Sequence, residues 1–150
     1  YAIVPDEITL CIKLGETHLQ LGNPVEARRW YEQCGKKGDS LVAALNGYGL
    51  TLRALGELDK ARERLTLANT LDANNPDILT NLALVLHDLG DYENALAYFQ
   101  QALTLDPNHS MASTSQAFTL LVQGKLGCGW DAYESRWSFT HPLTIMLFPL

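Results

Sequence analysis

Histidine, cysteine, serine and the carboxylates are where this chain could do chemistry, and their spacing decides against most of it. His18, His87, His109 and His141 form no HxxxH or HExxH pair, the spacing that sets two imidazoles on one helix face for a metal. Cys11, Cys34 and Cys128 are an odd count with no CxxC pair, so neither a zinc site nor a disulfide framework is expected. Cys11 and Cys34 would face each other across a helical hairpin, as two small buried hydrophobes, with a redox link as the alternative. The serines of HSMASTS, residues 109 to 115, lack the GxSxG elbow that exposes a nucleophile. GKLGCG, residues 124 to 129, lacks the GxxxxGKS or GxxxxGKT order of a phosphate cradle. Asp88, Asp91 and Glu93 cluster at a turn, where helix caps and solvated charge belong. The chain is therefore not read as an enzyme, and no metal or cofactor is assigned.

Charge and hydropathy narrow the partners. The formal net charge is −6 and the pI about 5.1, so no overall positive field attracts nucleic acid or a membrane surface. No apolar run reaches the roughly 20 residues of a membrane span, and no signal peptide opens the chain. Unpaired cysteines point to a reducing compartment, hence the cytoplasm. Residue 1 is Tyr rather than Met, so a fragment or a processed form is expected.

The elements that must position any binding residues repeat along the chain. Residues 8–41, 42–75 and 76–109 align as units of 34 residues, and 110–137 as a shorter fourth. Column 15 of the units reads Gly22, Gly56, Gly90 and Gly124; column 20 reads Ala27, Ala61, Ala95 and Gly129; column 24 reads Tyr31, Leu65, Phe99 and Tyr133. Small residues in column 20 allow two helices to approach, and a large residue in column 24 fills the adjacent hole. In the third unit Asn75 and Pro76 open a helix with an apolar face at Leu79, Leu82, Ala83 and Leu86, which Gly90 ends. Asp91 then caps a second helix that Pro107 stops. Nothing alternates with period two, so an all-α solenoid of helical hairpins is expected.

These units resemble the tetratricopeptide repeat family, and NLALVLHDLGDYENALAYFQQALTLDPN is close to its consensus. The first two units depart from it at Cys11 and where Asp39 and Ala73 replace a proline. The resemblance implies a right-handed superhelix whose first helices line a concave groove, and a protein or peptide as partner. The groove residues so implied are Ile12, Leu19, Leu50, Arg53, Leu84, His87, Phe118, Leu121 and Val122. Arg53 is the sole strong cation among the groove positions, too few for the clamp with which some members hold a C-terminal acid. Asn81 is one rung, not the asparagine ladder of the O-GlcNAc transferase superhelix.

The last unit breaks the beat. Gly129 stands where the other units place alanine, at a helix cost of roughly 0.5 to 1 kcal/mol. Trp130, Tyr133 and Trp137 form an aromatic stripe expected to close the end of the stack. The segment GKLGCGWDAYESRW, residues 124 to 137, also resembles the final repeat of bacterial proteins whose repeats precede a glycosyltransferase-like domain. That resemblance implies the alternative of a repeat region in a larger protein presenting a substrate or partner. Beyond it, the apolar segment PLTIMLFPL, residues 142 to 150, is expected to dock, either on the last hairpin or on a second copy by self-association.

Overall fold

The computed structural model describes residues 7–34 and 40–138. They form eight helices: α1 (Glu7–Gln20), α2 (Pro24–Gln33), α3 (Ser40–Ala54), α4 (Leu58–Leu71), α5 (Pro76–Asp88), α6 (Tyr92–Leu105), α7 (Ser110–Val122) and α8 (Leu126–Ser138). Among the described residues there is no strand.

Local chemistry sets the helix ends. The Asn75 side chain accepts from the Asp77 and Ile78 amides, with Pro76 at the first position of α5, where its missing N–H costs nothing. At the other end Gly90 adopts φ 81°, a left-handed conformation that suits a residue without Cβ. Its amide donates to the His87 carbonyl and that of Asp91 to the Leu86 carbonyl, both at 2.9 Å, so the last carbonyls of α5 are satisfied. The same reversal recurs at Gly22, Gly56 and Gly124. A three-residue turn of this kind returns the chain antiparallel, and each odd helix packs most extensively on the even helix after it.

Packing follows the columns. Ala27, Ala61 and Ala95 are fully buried, and Tyr31, Leu65 and Phe99 fill the space beside them. Gly129 answers the same demand: a methyl added there would sit 2.7 Å from Cδ2 of Leu121 on α7. Leu79, Leu82, Val85 and Leu86 of α5 join Leu65 and Phe99 in the main core. Among the described residues the backbones of odd helices also approach the next odd helix, whereas those of even helices stay apart from one another. The odd helices are therefore the inner row, and the even helices are splayed on the outside.

Two of the three aromatic residues of the closing helix are described. Trp130 is 54% exposed, and Tyr133 meets it edge-on with ring centroids 6.1 Å apart. The two rings pack on each other. The Trp137 side chain and the segment 142–150 lie outside the described residues.

Candidate functional site on the inner helices

The inner row is stitched together by side chains one repeat apart. Asn81 Nδ2 on α5 donates to Asn46 Oδ1 on α3 at 2.9 Å. Arg53 Nε at the end of α3 meets Asp88 Oδ2 at the end of α5 at 2.6 Å. His87 Nδ1 lies 2.9 Å from Thr119 Oγ1 on α7. The Thr119 hydroxyl donates its one proton to the Ser115 carbonyl, so His87 Nδ1 is the donor. At the opposite rim His109 caps α7, taking the Ala112 amide on Nδ1 and presenting Nε2 to Asp77 at 2.8 Å. A neutral imidazole with its proton on Nε2 makes both bonds.

Four of the nine expected groove residues converge at the C-terminal ends of α3, α5 and α7. Phe118 is 58% exposed, yet its ring rests 5.5 Å from the His87 ring, which in turn lies 5.2 Å from Tyr92. Val122, one turn further along α7, is exposed beside it. Arg53, tied to Asp88, forms the neighbouring wall. Leu50 is half-buried, and Leu84 is half-buried against the main core.

The remaining three lie elsewhere. Ile12 is buried with Ala27, Tyr31 and Ala44, so it belongs to the core between the first and second hairpins. Leu19 packs on that same cluster. Leu121 turns toward Gly129 inside the fourth hairpin, not toward the groove. Thr119 and Tyr92, which hold His87, were outside the expected set. Tyr92 is the first residue of α6, and its only sequence signal is its place just after the turn that follows His87.

Electrostatically the inner row is acidic to neutral. Its two strong cations are both occupied, Lys13 by Glu16 at 3.0 Å and Arg53 by Asp88, and α7 carries no Lys, Arg, Asp or Glu. At the rim where α3 and α5 begin, an open cavity of about 500 Å³ is lined by Asn46, Asp72, Asn75 and Asp77. Val42, Ala43, Leu71 and Ile78 complete its lining, so this rim is mixed polar and apolar. Among the described residues no group of three His, Cys, Asp or Glu is placed to hold a metal ion, and no helix is long and apolar enough to cross a membrane.

Four helical hairpins in one continuous row, each reversed at a left-handed glycine, define a helical-repeat solenoid. Residues 9–33 and 76–109 match the family described as tetratricopeptide repeat, and residues 49–90 that described as TPR repeat; the chain belongs to the tetratricopeptide repeat family. Protein FlbA of Caulobacter vibrioides is 24% identical over 174 residues, covering 91% of this chain and 29% of FlbA. Protein O-mannosyl-transferase TMTC3 of Homo sapiens is 30% identical over 116 residues, covering 77% of this chain and 12% of TMTC3. The chain therefore spans less than a third of these curated relatives. Among solved structures, MamA superposes with a TM-score of 0.75 at 19% identity, over 89% of this chain and 78% of that one. YrrB, a TPR protein with an unusual peptide-binding site, superposes with a TM-score of 0.71 at 19% identity, over 86% and 66%.

Proposed function

We propose that this chain is a non-catalytic scaffold that holds a protein or peptide segment along its inner helices, with Phe118 as the main apolar contact. The observation that carries this reading is that Phe118 is exposed and yet positioned. Its ring leans on His87, and His87 is fixed by Thr119 from the same helix as Phe118. An exposed aromatic held in one place offers a partner apolar area at little cost in ordering. The neutralised Arg53 argues for an apolar segment and against an acidic C-terminus. YrrB supplies a precedent for peptide binding on this fold. With the array immobilised, Phe118→Glu should abolish retention of a partner, while Leu67→Glu on the outer helix α4 should leave it intact. Equal retention by both variants would remove the inner face from the reading.

A second reading rests on the closing segment 124–137 and on the length of the relatives. In it, the array is the repeat region of a longer glycosyltransferase-like protein and presents an acceptor or partner to a separate domain. The full reading frame tests this: a transferase-like domain after the repeats supports it, and a frame without one removes it.

A further inference from the structure

We propose that Cys11 of α1 and Cys34, just past the end of α2, are a reversible redox pair that closes a disulfide tying the two helices of the first hairpin together. Columns 4 and 27 of the units carry the geometry. In the second unit they hold Leu45 and Ala68, which share one buried cluster with Ile78; in the third they hold Leu79 and Ala102, both buried in the main core. The first unit sets a cysteine in each of these columns. Contacts within the first hairpin agree. The Tyr31 ring lies against Gly15 and the two helices run antiparallel, so one turn on along α2 and one turn back along α1 bring Cys34 opposite Cys11. The two thiols are within hydrogen-bonding reach of each other. Cys34 also packs on the cluster of Ile12, Ala27, Tyr31 and Ala44, and its thiol donates to the Trp30 carbonyl at 3.4 Å. Cys128 offers the contrast: it stands in column 19, with Glu26, Lys60 and Asn94, and is exposed.

Closing the bond needs an oxidant, and a small disulfide such as glutathione disulfide supplies it. The Cys11 thiolate attacks one sulfur of that disulfide, forms a mixed disulfide and expels a thiolate, which takes up a proton. Cys34 then gives up its own proton, attacks the Cys11 sulfur and expels the second thiolate. Two protein thiols lose two electrons between them; the small disulfide gains both and leaves as two thiols. Cys34 acts second because its thiol is engaged with Trp30, and burial pushes it up to about 11, so little of it is thiolate at neutral pH. Its attack is intramolecular, which offsets that handicap. The ring so closed runs from residue 11 to residue 34 and lies wholly within the first hairpin. The link therefore stabilises α1 and α2 and leaves His87 and Phe118, in the third and fourth hairpins, as they are.

The full chain carrying Cys128→Ser, which prevents links between copies through that thiol, tests this in glutathione buffers of graded ratio. Samples equilibrated folded and in urea are quenched with acid and mapped by peptide mass. A fold that holds the two sulfurs together favours the bond by the same factor by which the bond favours the fold. The equilibrium constant for closing Cys11 onto Cys34 should accordingly be roughly tenfold or more larger in the folded chain than in urea. Hydrogen exchange should slow in α1 and α2 of the oxidised chain and stay unchanged in α5 to α8. Cys11→Ala and Cys34→Ala should each abolish that slowing. A closure constant no larger than in urea, free thiols at every glutathione ratio, glutathione retained on Cys11 without closure, or closure that leaves exchange in α1 and α2 unchanged overturns the proposal.

Discussion

The hydroxyl of Tyr31 on α2 lies against the backbone of Gly47 on α3, and the edge of the same ring faces Gly15 on α1. One phenol is thereby wedged into the first junction at the two places where the chain has no side chain. Its hydroxyl is buried without a hydrogen-bond partner, and burial pushes its pKa well above the usual tyrosine range. An unsatisfied buried hydroxyl costs about 1–3 kcal/mol, so Tyr31→Phe should stabilise the array by about 1 kcal/mol in chemical denaturation. Gly47→Ala should destabilise it despite the better helix propensity of alanine, and Tyr31→Phe should restore part of that loss in the double variant. A destabilised Tyr31→Phe would mean that the hydroxyl has a partner in solution.

Gly129 offers a similar test at the other end. Alanine there gains up to about 1 kcal/mol of helix propensity, but its methyl meets Leu121 Cδ2 at 2.7 Å and the Leu121 amide nitrogen at 3.1 Å. The backbone cannot move aside as a side chain can, so the net effect should be a loss. Among the described residues α7 and α8 pack on the third hairpin alone, so hydrogen exchange should quicken in α7 and α8 and change little before them. Uniform quickening would show that the hairpins unfold as a single unit.

Phe118 and Phe99 separate surface from core. Phe99 is fully buried, and Phe99→Ala should cost about 3–5 kcal/mol. Phe118→Glu, at an exposed position, should cost under about 1 kcal/mol while weakening partner binding. Equal thermal damage by the two would place Phe118 in the core.

An acid-side loss of stability is expected where Arg28 of α2 bridges Glu32 at 2.8 Å and Glu57, at the start of α4, at 2.6 Å. The hydrogen bond from Arg28 holds the Glu32 carboxyl below its usual range; Lys60 first, and then Arg28, do the same for Glu57. Both carboxyls bind fewer protons folded than unfolded. Their contribution is thus present above the unfolded value of about 4.3 and is lost as pH falls through the folded one. Arg28→Met should lower Tm at neutral pH, and its difference from wild type should narrow below about pH 4. The effect is small and salt-sensitive because both carboxylates reach water. A difference that stays constant with pH would assign it to packing of the arginine stem.

The thiols should react in a set order. Burial, and then the neighbouring Cys11, push the Cys34 thiol up to about 11, and its Sγ is held 3.4 Å from the Trp30 carbonyl. At neutral pH that leaves roughly a hundredfold less thiolate than an ordinary cysteine. Cys128 is exposed. Timed alkylation followed by peptide mass mapping should label Cys128 first and Cys34 far more slowly; faster labelling of Cys34 would show that the first hairpin opens.

Much of the fold was legible because its demands are local. Asn75 with Pro76, Gly90 and Asp91 act within one turn of themselves, so their meaning survives without knowledge of any other repeat. The candidate site was legible in part. Arg53, His87, Phe118 and Val122 reach the inner face as their columns imply, whereas Ile12 and Leu121 occupy columns of the same stripe and are turned into junctions.

By itself the sequence determined the 34-residue period, the helix ends and the small-against-large pairing of columns 20 and 24, because each follows from backbone geometry and side-chain volume. Only the tertiary structure decided which apolar residues remain on a surface. Leu10 and Ile78 share a column and differ in exposure because Ile78 packs on Leu45 and Ala68 of the second hairpin, and periodicity carries no information about such a neighbour. The same holds for His87. Its proton position and ring setting are fixed by Thr119, 32 residues away, through a contact that exists only once α5 and α7 lie side by side.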